Sequence, residues 1–339
     1  MTEPGGRVTI ADIALHAGVS VPTVSKVLND RADVSADTRS KVQRALAEHG
    51  YRRRPATGRT RSGLVDLVFW RVDSPWAMEV MRGAELAAHH AGVGLVVSRT
   101  HDGGDDEQRW LQTLARRRSD GLVLVVSELT AGTAEQLSAL HTPLVLLDSV
   151  GGSDPGLPTV GATNWAGGLE ATEHLLGLGH RRIGMVVGRP DLQCSQQRHD
   201  GYRAALGRAG VPVDEALVRA GDFRPEGGRR AAAELLSLPD PPTAVFAGSD
   251  LQAVGVYEEA RARGLSVPHD LSVVGFDDVA VCEWMSPSLT TVRQPLSEMA
   301  GEAVRLALRD DRHSAAPVRL EMATSLVLRA STAPPRPPG

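Results

Sequence analysis

Residues 9–29, T-I-A-D-I-A-L-H-A-G-V-S-V-P-T-V-S-K-V-L-N, decide the fold of the first part of this chain. Thr9 followed by Asp12 has a spacing like that of a capping box at the start of a helix. Gly18 can adopt the positive φ of a tight turn, and Ser20 is a favoured N-cap for a second helix. Apolar residues recur at helical spacing on both sides of the turn. The stretch therefore predicts two short helices around a tight turn.

The second predicted helix divides its side chains between two faces. Val24, Val27 and Leu28 fall on the inward face, which leaves outward Val21, Pro22, Ser25 and Lys26. This arrangement is a helix-turn-helix, a shape that places the start of its second helix in the major groove of DNA. Helical hairpins of other functions can share the spacing, so the pattern alone leaves DNA binding open.

A third helix is predicted over residues 36–48, with Ser35 as its cap and Gly50 at its end. The string A-D-I-A-x-x-A-G-V-S-x-x-T-V-S-x-V-L-N at 11–29 continues into V-S-x-x-T-R at 34–39 and the pair Gly50-Tyr51. These motifs resemble the headpiece of the lactose repressor/galactose repressor (LacI/GalR) family. The resemblance implies an all-α, DNA-binding helix-turn-helix domain over residues 1–51.

The resemblance also implies which side chains of the headpiece contact DNA. Val21, Pro22 and Lys26 occupy the base-reading positions of the second helix. Lys26 can donate to guanine, whereas Val21 and Pro22 can make only apolar contacts. The remaining positions are interpreted as phosphate contacts or helix caps: Thr9, Ser20, Thr23, Ser25, Asn29 and Tyr51.

Residues 52–63, R-R-R-P-A-T-G-R-T-R-S-G, form a basic linker. It departs from the LacI/GalR family, most of whose members carry a hinge helix with an Ala-Arg-x-Leu core. The stretch is shorter, has no leucine before Leu64, and contains Pro55 and Gly58, which disfavour helix. We therefore expect arginines rather than a leucine wedge to enter the minor groove. These arginines are Arg52, Arg53, Arg54, Arg59 and Arg61.

Charge is distributed unevenly along the 339 residues. Residues 1–62 contain 11 Lys/Arg and 6 Asp/Glu, whereas the remainder contains 26 and 35. A basic block suits DNA binding because neutralised phosphates supply much of the affinity. No run of 18 apolar residues and no signal-peptide core is present, and the two cysteines form no disulfide or metal pattern. We expect a cytoplasmic protein that does not span a membrane.

From Leu64 onward, short apolar strands alternate with helices in two successive series. Such alternation predicts parallel sheets covered by helices on both faces, here as two Rossmann-like lobes. The strings G-H-R-R-I-G (179–184), P-T-A-V-F-A-G-S-D (242–250), S-V-V-G-F-D-D (272–278) and L-T-T-V-R-Q-P (289–295) resemble the same family and, through it, the periplasmic sugar-binding proteins. The expected fold is an α/β periplasmic-binding-protein-like core.

The strand–helix series and these motifs give the expected domain limits. The ligand-binding core spans 64–333, with lobe 1 over about 64–161 and 295–321 and lobe 2 over about 162–293 and 322–333. The chain is expected to cross between the lobes near 289–294 and to return in a strand at 323–329. A Pro-rich tail, 334–339, follows.

A ligand would bind between the lobes, because ligands of parallel sheets lie beyond the carboxyl ends of the strands. The candidates are residues at those ends and at helix starts: Asp73, Trp76, Ser127, Trp165, Ser195, Arg198, Phe223, Asp250 and Asp277. Of these, Arg198, Asp250 and Asp277 match the effector-binding positions of the family most closely, and Phe223 matches an aromatic residue that flanks the ligand. Asp102 and Asp148 also follow strands, but aspartate there often caps a turn.

The residue types indicate a class of ligand. Carboxylates and an arginine can form charge-assisted hydrogen bonds to hydroxyls, and aromatic rings can cover the apolar faces of a sugar. Carboxylates would repel an anion, so a neutral polyol is favoured over a phosphate. Many family members carry Asp at the position of Thr163, and its absence here sets the ligand contacts apart from theirs.

The sequence thus predicts a regulator of transcription, a repressor of carbohydrate-utilisation genes released from a near-palindromic operator when a sugar binds. Two heads on a two-fold axis would read such an operator, so a homodimer is expected, and further pairing into a tetramer is left open. Corepression is the alternative response. No cofactor or metal is expected.

Two other classes of protein fit the sequence less well. A sugar-binding protein of a transporter would need an export signal and no DNA-binding head. An enzyme would need a catalytic motif, and the sequence contains no G-x-S-x-G, P-loop, H-E-x-x-H, or G-x-G-x-x-G opening a helix after a strand. Paired aspartates in the cleft could still resemble an acid–base pair, which leaves glycoside turnover as the observation that would favour an enzyme.

Overall fold

The structure is a computed structural model that describes residues 9–28, 34–49, 62–100, 104–125, 135–137, 139–140, 142–148, 157–309 and 318–336. Contacts divide the chain into two units, residues 1–61 and residues 62–339. Several predicted contacts lie outside the described residues: Asn29, Tyr51, Arg52, Arg53, Arg54, Arg59, Arg61, Asp102 and Ser127.

The first unit contains the three helices that the sequence predicts: α1 (Ile10–Ala17), α2 (Val21–Leu28) and α3 (Ala36–Glu48). At the start of α1 the capping box is formed, since the backbone N–H of Asp12 donates to Thr9 Oγ1 at 3.3 Å and that of Thr9 to Asp12 Oδ2 at 2.7 Å. Gly18 has a φ of 64° in the turn. The helices share one small core, made of Ile13, Ala14, Val24, Val27, Val42 and Ala45.

The second unit contains two lobes, each built on one six-stranded sheet. The first lobe begins with β1 (Leu64–Phe69), α4 (Pro75–His90), β2 (Gly94–Arg99), α5 (Gly104–Arg117), β3 (Gly121–Val125), β4 (Leu144–Leu147) and β5 (Thr159–Ala162). Residues 135–137 and 139 are also helical.

The second lobe continues with α6 (Asn164–Gly177), β6 (Ile183–Val187), α7 (Gln193–Arg208), β7 (Val218–Ala220), α8 (Pro225–Leu235), β8 (Ala244–Ala247), α9 (Asp250–Ala262), β9 (Ser272–Asp277), the single turn α10 (Val281–Trp284) and β10 (Thr290–Arg293). The chain then returns to the first lobe with α11 (Leu296–Ala307) and β11 (Arg319–Met322). It ends in the second lobe with β12 (Ser325–Val327).

The first sheet has the strand order β11-β5-β4-β3-β1-β2, and all of its pairs are parallel. The second has the order β12-β10-β9-β8-β6-β7, in which only the terminal pair β10–β12 is antiparallel. The predicted architecture is confirmed. Because parallel strands present their carboxyl ends at one edge, residues far apart in sequence collect at that edge.

Three strands of the structure were absent from the sequence-based expectation: β5, β10 and β11. Their sequences, T-V-G-A, T-T-V-R and R-L-E-M, are four residues long and mix polar or glycine residues with the apolar ones, so they carry little strand signal. Met322 pairs with Ala162 in the first sheet, although we expected the second lobe to resume at residue 322.

Two glycines bring α6 and α7 into close contact in the second lobe. A Cβ added at Gly168 would collide with the backbone oxygen of Arg198, and one added at Gly201 with that of Trp165. Helix α7 begins at Gln193, so Ser195 and Arg198 both lie on a helix whose position is fixed by backbone packing.

Candidate effector site and DNA-binding surface

A cavity of about 430 Å³ lies between the two lobes of the second unit. The first lobe contributes residues at or just after the ends of β1, β3 and β4, and the second contributes residues at or just after the ends of β6, β7, β8 and β9. The cavity is lined by five of the predicted effector residues: Asp73, Trp76, Arg198, Phe223 and Asp277. Its volume is in the range of small-molecule sites. We call it the effector cavity.

Arg198 is the best-anchored charge in the effector cavity. Its Nε donates to Asn164 Oδ1 at 2.9 Å, and its Nη1 donates to the backbone oxygen of Gly248 at 2.7 Å. The guanidinium carbon lies 3.7 Å from the ring centre of Phe276 and 5.8 Å from that of Phe223. With its side chain only 3% exposed, Arg198 is held in one orientation by groups on four different elements.

Asp277 is the carboxylate that faces Arg198, with Oδ1 3.7 Å from Nη1. Gln294 Nε2 donates to the same oxygen at 2.7 Å, while Gln294 Oε1 is buried and has no partner among the described residues. Burial raises the pKa of Asp277 well above its ordinary value, and the positive charge of Arg198 opposes that rise. A ligand hydroxyl could bridge these groups, because they offer both a donor and an acceptor.

Three residues that line the effector cavity have a left-handed backbone. The φ values are 54° at Asp148, 62° at Phe223 and 118° at Asp277. Non-glycine residues with positive φ are uncommon and collect at binding sites, where the surrounding structure holds them in place. Burial also raises the pKa of the Asp148 carboxyl, which the charge of Arg198 partly offsets.

Ser195 lies beside the effector cavity without lining it. It is 1% exposed, and its Oγ has no hydrogen-bond partner among the described residues. A Cβ added at Gly188 would overlap both Ser195 Oγ and the Phe223 ring, so these two side chains pack over the same glycine. The hydroxyl is therefore available to a ligand or water that enters next to Phe223.

The structure places two other predicted residues away from the effector cavity. Asp250 is fully buried at the first position of α9, where it accepts hydrogen bonds from the backbone N–H of Val279 (2.9 Å) and from Thr291 Oγ1 (2.5 Å). Burial raises its pKa to about 6. Trp165 is 41% exposed, and Arg208 lies over its ring. Neither is among the described residues that line the cavity.

Several lining residues were missed by the sequence reasoning. The arginines among them are Arg71, Arg189 and Arg224, which with Arg198 bring four guanidinium groups to the effector cavity; others are Trp70, Cys194, Asp222, Glu226 and Ser249. Most of them follow a strand by one to four residues, so the rule that located Asp73 could have found them. The exceptions are Glu226, which lies on α8, and Cys194, which lies on α7 and whose burial raises the thiol pKa to about 12.

Two contacts join the lobes across this cavity. Arg224 Nη2 of the second lobe donates to Asp73 Oδ2 of the first at 3.0 Å, and the same carboxylate pairs with Arg71. The guanidinium carbon of Arg189 lies 4.6 Å from the ring centre of Trp70. Arg71 and Arg224 share the carboxylate of Asp73, and Arg198 faces that of Asp277, so these charges are paired inside the cavity.

The first unit presents the predicted base-reading face to solvent. Val21, Pro22 and Lys26 are all exposed on α2. Two of the residues predicted as phosphate contacts or caps act as caps: Thr9 for α1, and Ser20, whose Oγ accepts from the backbone N–H of Thr23 at 3.3 Å. Thr23 and Ser25 are half-buried. The arrangement leaves an apolar pair in the first turn of α2 and a cation in its last turn, all open to a DNA groove.

Among the described residues, no group of three or more His, Cys, Asp or Glu side chains could hold a metal ion. Within the same part of the chain, no helix combines the length and apolarity needed to cross a bilayer.

Comparison with known proteins assigns both units. Residues 9–54 match the family described as bacterial regulatory proteins, lacI family, and residues 172–332 match a periplasmic binding protein-like domain. The HTH-type transcriptional repressor CytR of Escherichia coli (strain K12) is 33% identical over 329 residues, which cover 96% of each chain.

Solved structures match along the whole chain as well. A transcriptional regulator CelR–cellobiose complex has a TM-score of 0.74 and 35% identity and covers 96% of this chain and 100% of that one. The lac repressor dimer bound to operator and the anti-inducer ONPF has a TM-score of 0.71 and 26% identity and covers 97% and 100%.

Proposed function

Because the chain belongs to the LacI family of bacterial regulatory proteins, we propose that it represses genes of carbohydrate utilisation and leaves its operator when a sugar binds. Members similar to it are transcriptional regulators rather than enzymes. What is proposed beyond family membership is the class of effector, the site that binds it and the direction of the response.

The composition of the effector cavity carries the proposal of a sugar. Arg198 and Asp277 offer a donor and an acceptor 3.7 Å apart, and Phe223 and Trp76 provide aromatic surfaces in the same cavity. Because arginines and carboxylates there are largely paired, a neutral ligand with many hydroxyls fits better than an anion. The cellobiose bound by the similar regulator CelR makes an oligosaccharide the first ligand to test.

We assign the sugar contacts to Asp73, Trp76, Arg198, Phe223 and Asp277, with Ser195 supplying a further hydroxyl beside Phe223. Trp165 and Asp250 are not assigned a direct contact. Asp250 instead accepts hydrogen bonds from Val279 and Thr291. These bonds fix the position of the end of β9 and therefore of Asp277. Ser127 lies outside the described residues, and its role stays a prediction from the end of β3.

On DNA, the exposed face of α2 reads bases through Val21, Pro22 and Lys26. A single head contacts only one short half-site, so we propose a homodimer on a near-palindromic operator, as in the lac repressor dimer bound to operator. The sugar can change the head positions only if it binds one arrangement of the lobes more tightly than the other. Closure of the lobes around the sugar supplies that difference.

A DNA mobility shift on the upstream region of the protein's own gene tests the proposal. We expect a retarded band that cellobiose or another sugar from a panel of mono- and disaccharides abolishes. A nucleoside and a sugar phosphate serve as controls for the other ligand classes. Tighter binding with sugar would replace induction by corepression, and release only by the nucleoside or the phosphate would exclude a sugar effector.

A further inference from the structure

The last two residues of the basic linker, Ser62 and Gly63, are held on the first lobe by one side chain. The backbone N–H of Ser62 donates to Asp120 Oδ1 and that of Gly63 donates to Asp120 Oδ2, each at 2.9 Å. Asp120 is half-buried and comes 57 residues after Gly63 in the chain. Hydrogen bonds from two N–H groups to one carboxylate are charge-assisted, so they are stronger than bonds between neutral groups. Asp120 therefore fixes the point at which the linker joins the core.

The backbone around these two residues strengthens the same attachment. Gly63 has a φ of 71°, in the left-handed region that favours glycine. Its oxygen accepts from the backbone N–H of Gly94 at 2.7 Å, and the backbone N–H of Asp120 donates to the oxygen of Leu64 at 2.7 Å. Residues 62–64 are thus bonded to the first residue of β2 and to the residue that precedes β3, so the end of the linker is tied to the first sheet.

Asp120 lies in the turn between α5 and β3, and the last residue of α5 is also bonded to β1. Arg117 Nη1 donates to Asp66 Oδ1, and Asp66 is a residue of β1 with only 2% of its surface exposed. Separating this pair would leave a buried carboxylate without its partner, which is costly in free energy. The turn and β1 are therefore expected to move together, and Asp120 keeps its place relative to the start of β1.

Strands β1 and β3 connect this attachment with the effector cavity. They pair in parallel along their length, and Phe69 lies opposite Val125 at the end of the pairing. Both of these residues line the effector cavity. The linker attachment and the cavity thus lie at opposite ends of one pair of strands. A rotation of the first lobe on ligand binding would carry the end of the linker with it, because packed lobes move as rigid bodies.

We propose that Asp120 is a positioning residue that couples rotation of the first lobe to the DNA-binding heads, by fixing where each linker leaves the core. The proposal rests on the homodimer and the near-palindromic operator proposed above. With both N–H groups bonded to Asp120, a rotation of the lobes changes the separation of the two linker ends and hence the half-site spacing that the heads can reach. Without these bonds, the linker ends are released from the lobes and the heads adapt to other spacings.

Hydrogen exchange of the free protein tests the attachment without DNA or effector. Asp120→Asn keeps the size of the side chain but replaces one acceptor oxygen by an NH₂ group, which cannot accept from a backbone N–H. We expect the amides of residues 62–64 to exchange about tenfold faster in this variant, as for one lost bond to a charged group. Asp106→Asn is the matched control, since Asp106 is exposed on α5 and pairs with Arg109. Unchanged exchange in Asp120→Asn, measured by mass spectrometry, would overturn the proposal.

Operators of different half-site spacing test the coupling. An operator is selected from random DNA by the wild-type protein, and two base pairs are inserted at its centre, which rotates one half-site against the other by about 70°. We expect the wild type to prefer the selected spacing, and Asp120→Asn to lose about tenfold of that preference while its affinity for a single half-site is unchanged. The Asp106→Asn control should keep the preference.

Thermal unfolding of the same proteins separates positioning from stability. If Asp120 were only structural, Asp120→Asn would unfold at a lower temperature and keep the wild-type preference for spacing, and this outcome would overturn the proposal. Equal binding of both operators by the wild type is a different result. It would refute the proposed dimer on a near-palindromic operator, and the role of Asp120 would fall with it.

Discussion

Two of the arginine–aspartate pairs in the effector cavity differ in almost every physical respect. Arg198 and Asp277 lie within the second lobe, with side chains 3% and 10% exposed. Arg224 and Asp73 join the two lobes, with side chains 40% and 57% exposed. The buried pair is the longer one, 3.7 Å against 3.0 Å, yet we expect it to matter far more, because removing one partner strands a charge away from water.

This difference suits the two pairs to different roles in the cavity. The buried pair is fixed by Asn164, Gly248 and Gln294, so it offers a ligand groups in preset positions. The exposed pair is solvated, so it can form and break as the lobes move at little cost in free energy. One pair is suited to recognising the effector, and the other to following closure of the lobes.

The largest effect is expected from Arg198→Ala. Losing one partner of a buried pair typically costs about 3–5 kcal/mol, and the variant should also lose its response to the sugar. Chemical denaturation and the mobility shift with sugar measure the two effects. Arg208→Ala on the same helix is the control, since Arg208 is exposed and pairs with Glu173. Equal stability of the two variants would contradict the contrast between buried and exposed pairs.

A pH-dependent effect of intermediate size is expected from Asp250→Asn. The folded protein raises the pKa of Asp250 to about 6, above its ordinary value of 3.8. Protonation is then tighter in the folded state, so the associated stability is present at low pH and is lost as pH rises through about 6. From pH 4.5 to 7, the wild type should lose about 2 kcal/mol relative to Asp250→Asn.

Thermal unfolding of both proteins across this pH range measures that difference. Comparing the two cancels the contributions of carboxyl groups on which Asp250 does not act. Asp277 is not one of them, because the charge of Asp250 contributes to its raised pKa. A stability difference that stays constant with pH, or one that moves in the opposite direction, would show that burial does not hold Asp250 protonated near neutral pH.

The comparison extends to an exposed cation in the headpiece. Lys26→Ala should leave the stability of the protein nearly unchanged but cost about 1–3 kcal/mol of operator binding, concentrated at one base position. Mobility shifts on an operator and its single-base variants measure the effect. A uniform loss on all of these sequences would instead assign Lys26 to a phosphate.

The smallest effect is expected from Asp73→Asn. Its carboxylate pairs with Arg71 and Arg224 in solvent, so its loss should change the unfolding free energy by less than about 1 kcal/mol. Stopped-flow binding of the sugar should show faster dissociation, because the closed lobes lose a connection. If the variant still binds the sugar and its dissociation rate is unchanged, Asp73 takes no part in closure.

Much of this site could be predicted from strand ends alone, since Asp73 and Phe223 follow β1 and β7, Asp277 ends β9, and all three line the cavity. Asp250 also follows a strand, yet β9 and β10 cover it and direct its carboxylate to Val279 and Thr291. Trp165 opens a helix as expected but lies outside the cavity. The position of a residue along the chain predicts that it lies at the edge of the sheet. The direction of its side chain depends on the elements that pack over it.

The sequence by itself determined the headpiece: its caps, turn and apolar spacing are local, and local interactions suffice to define three short helices. It also determined the two-lobed core, through the alternation of strands and helices. Only the tertiary structure decided which arginines and aspartates meet. Arg224 and Asp73 are 151 residues apart in sequence, and Arg198 reaches its partners because Gly168 and Gly201 let two helices approach. Such contacts arise from packing between distant elements, and no local pattern encodes them.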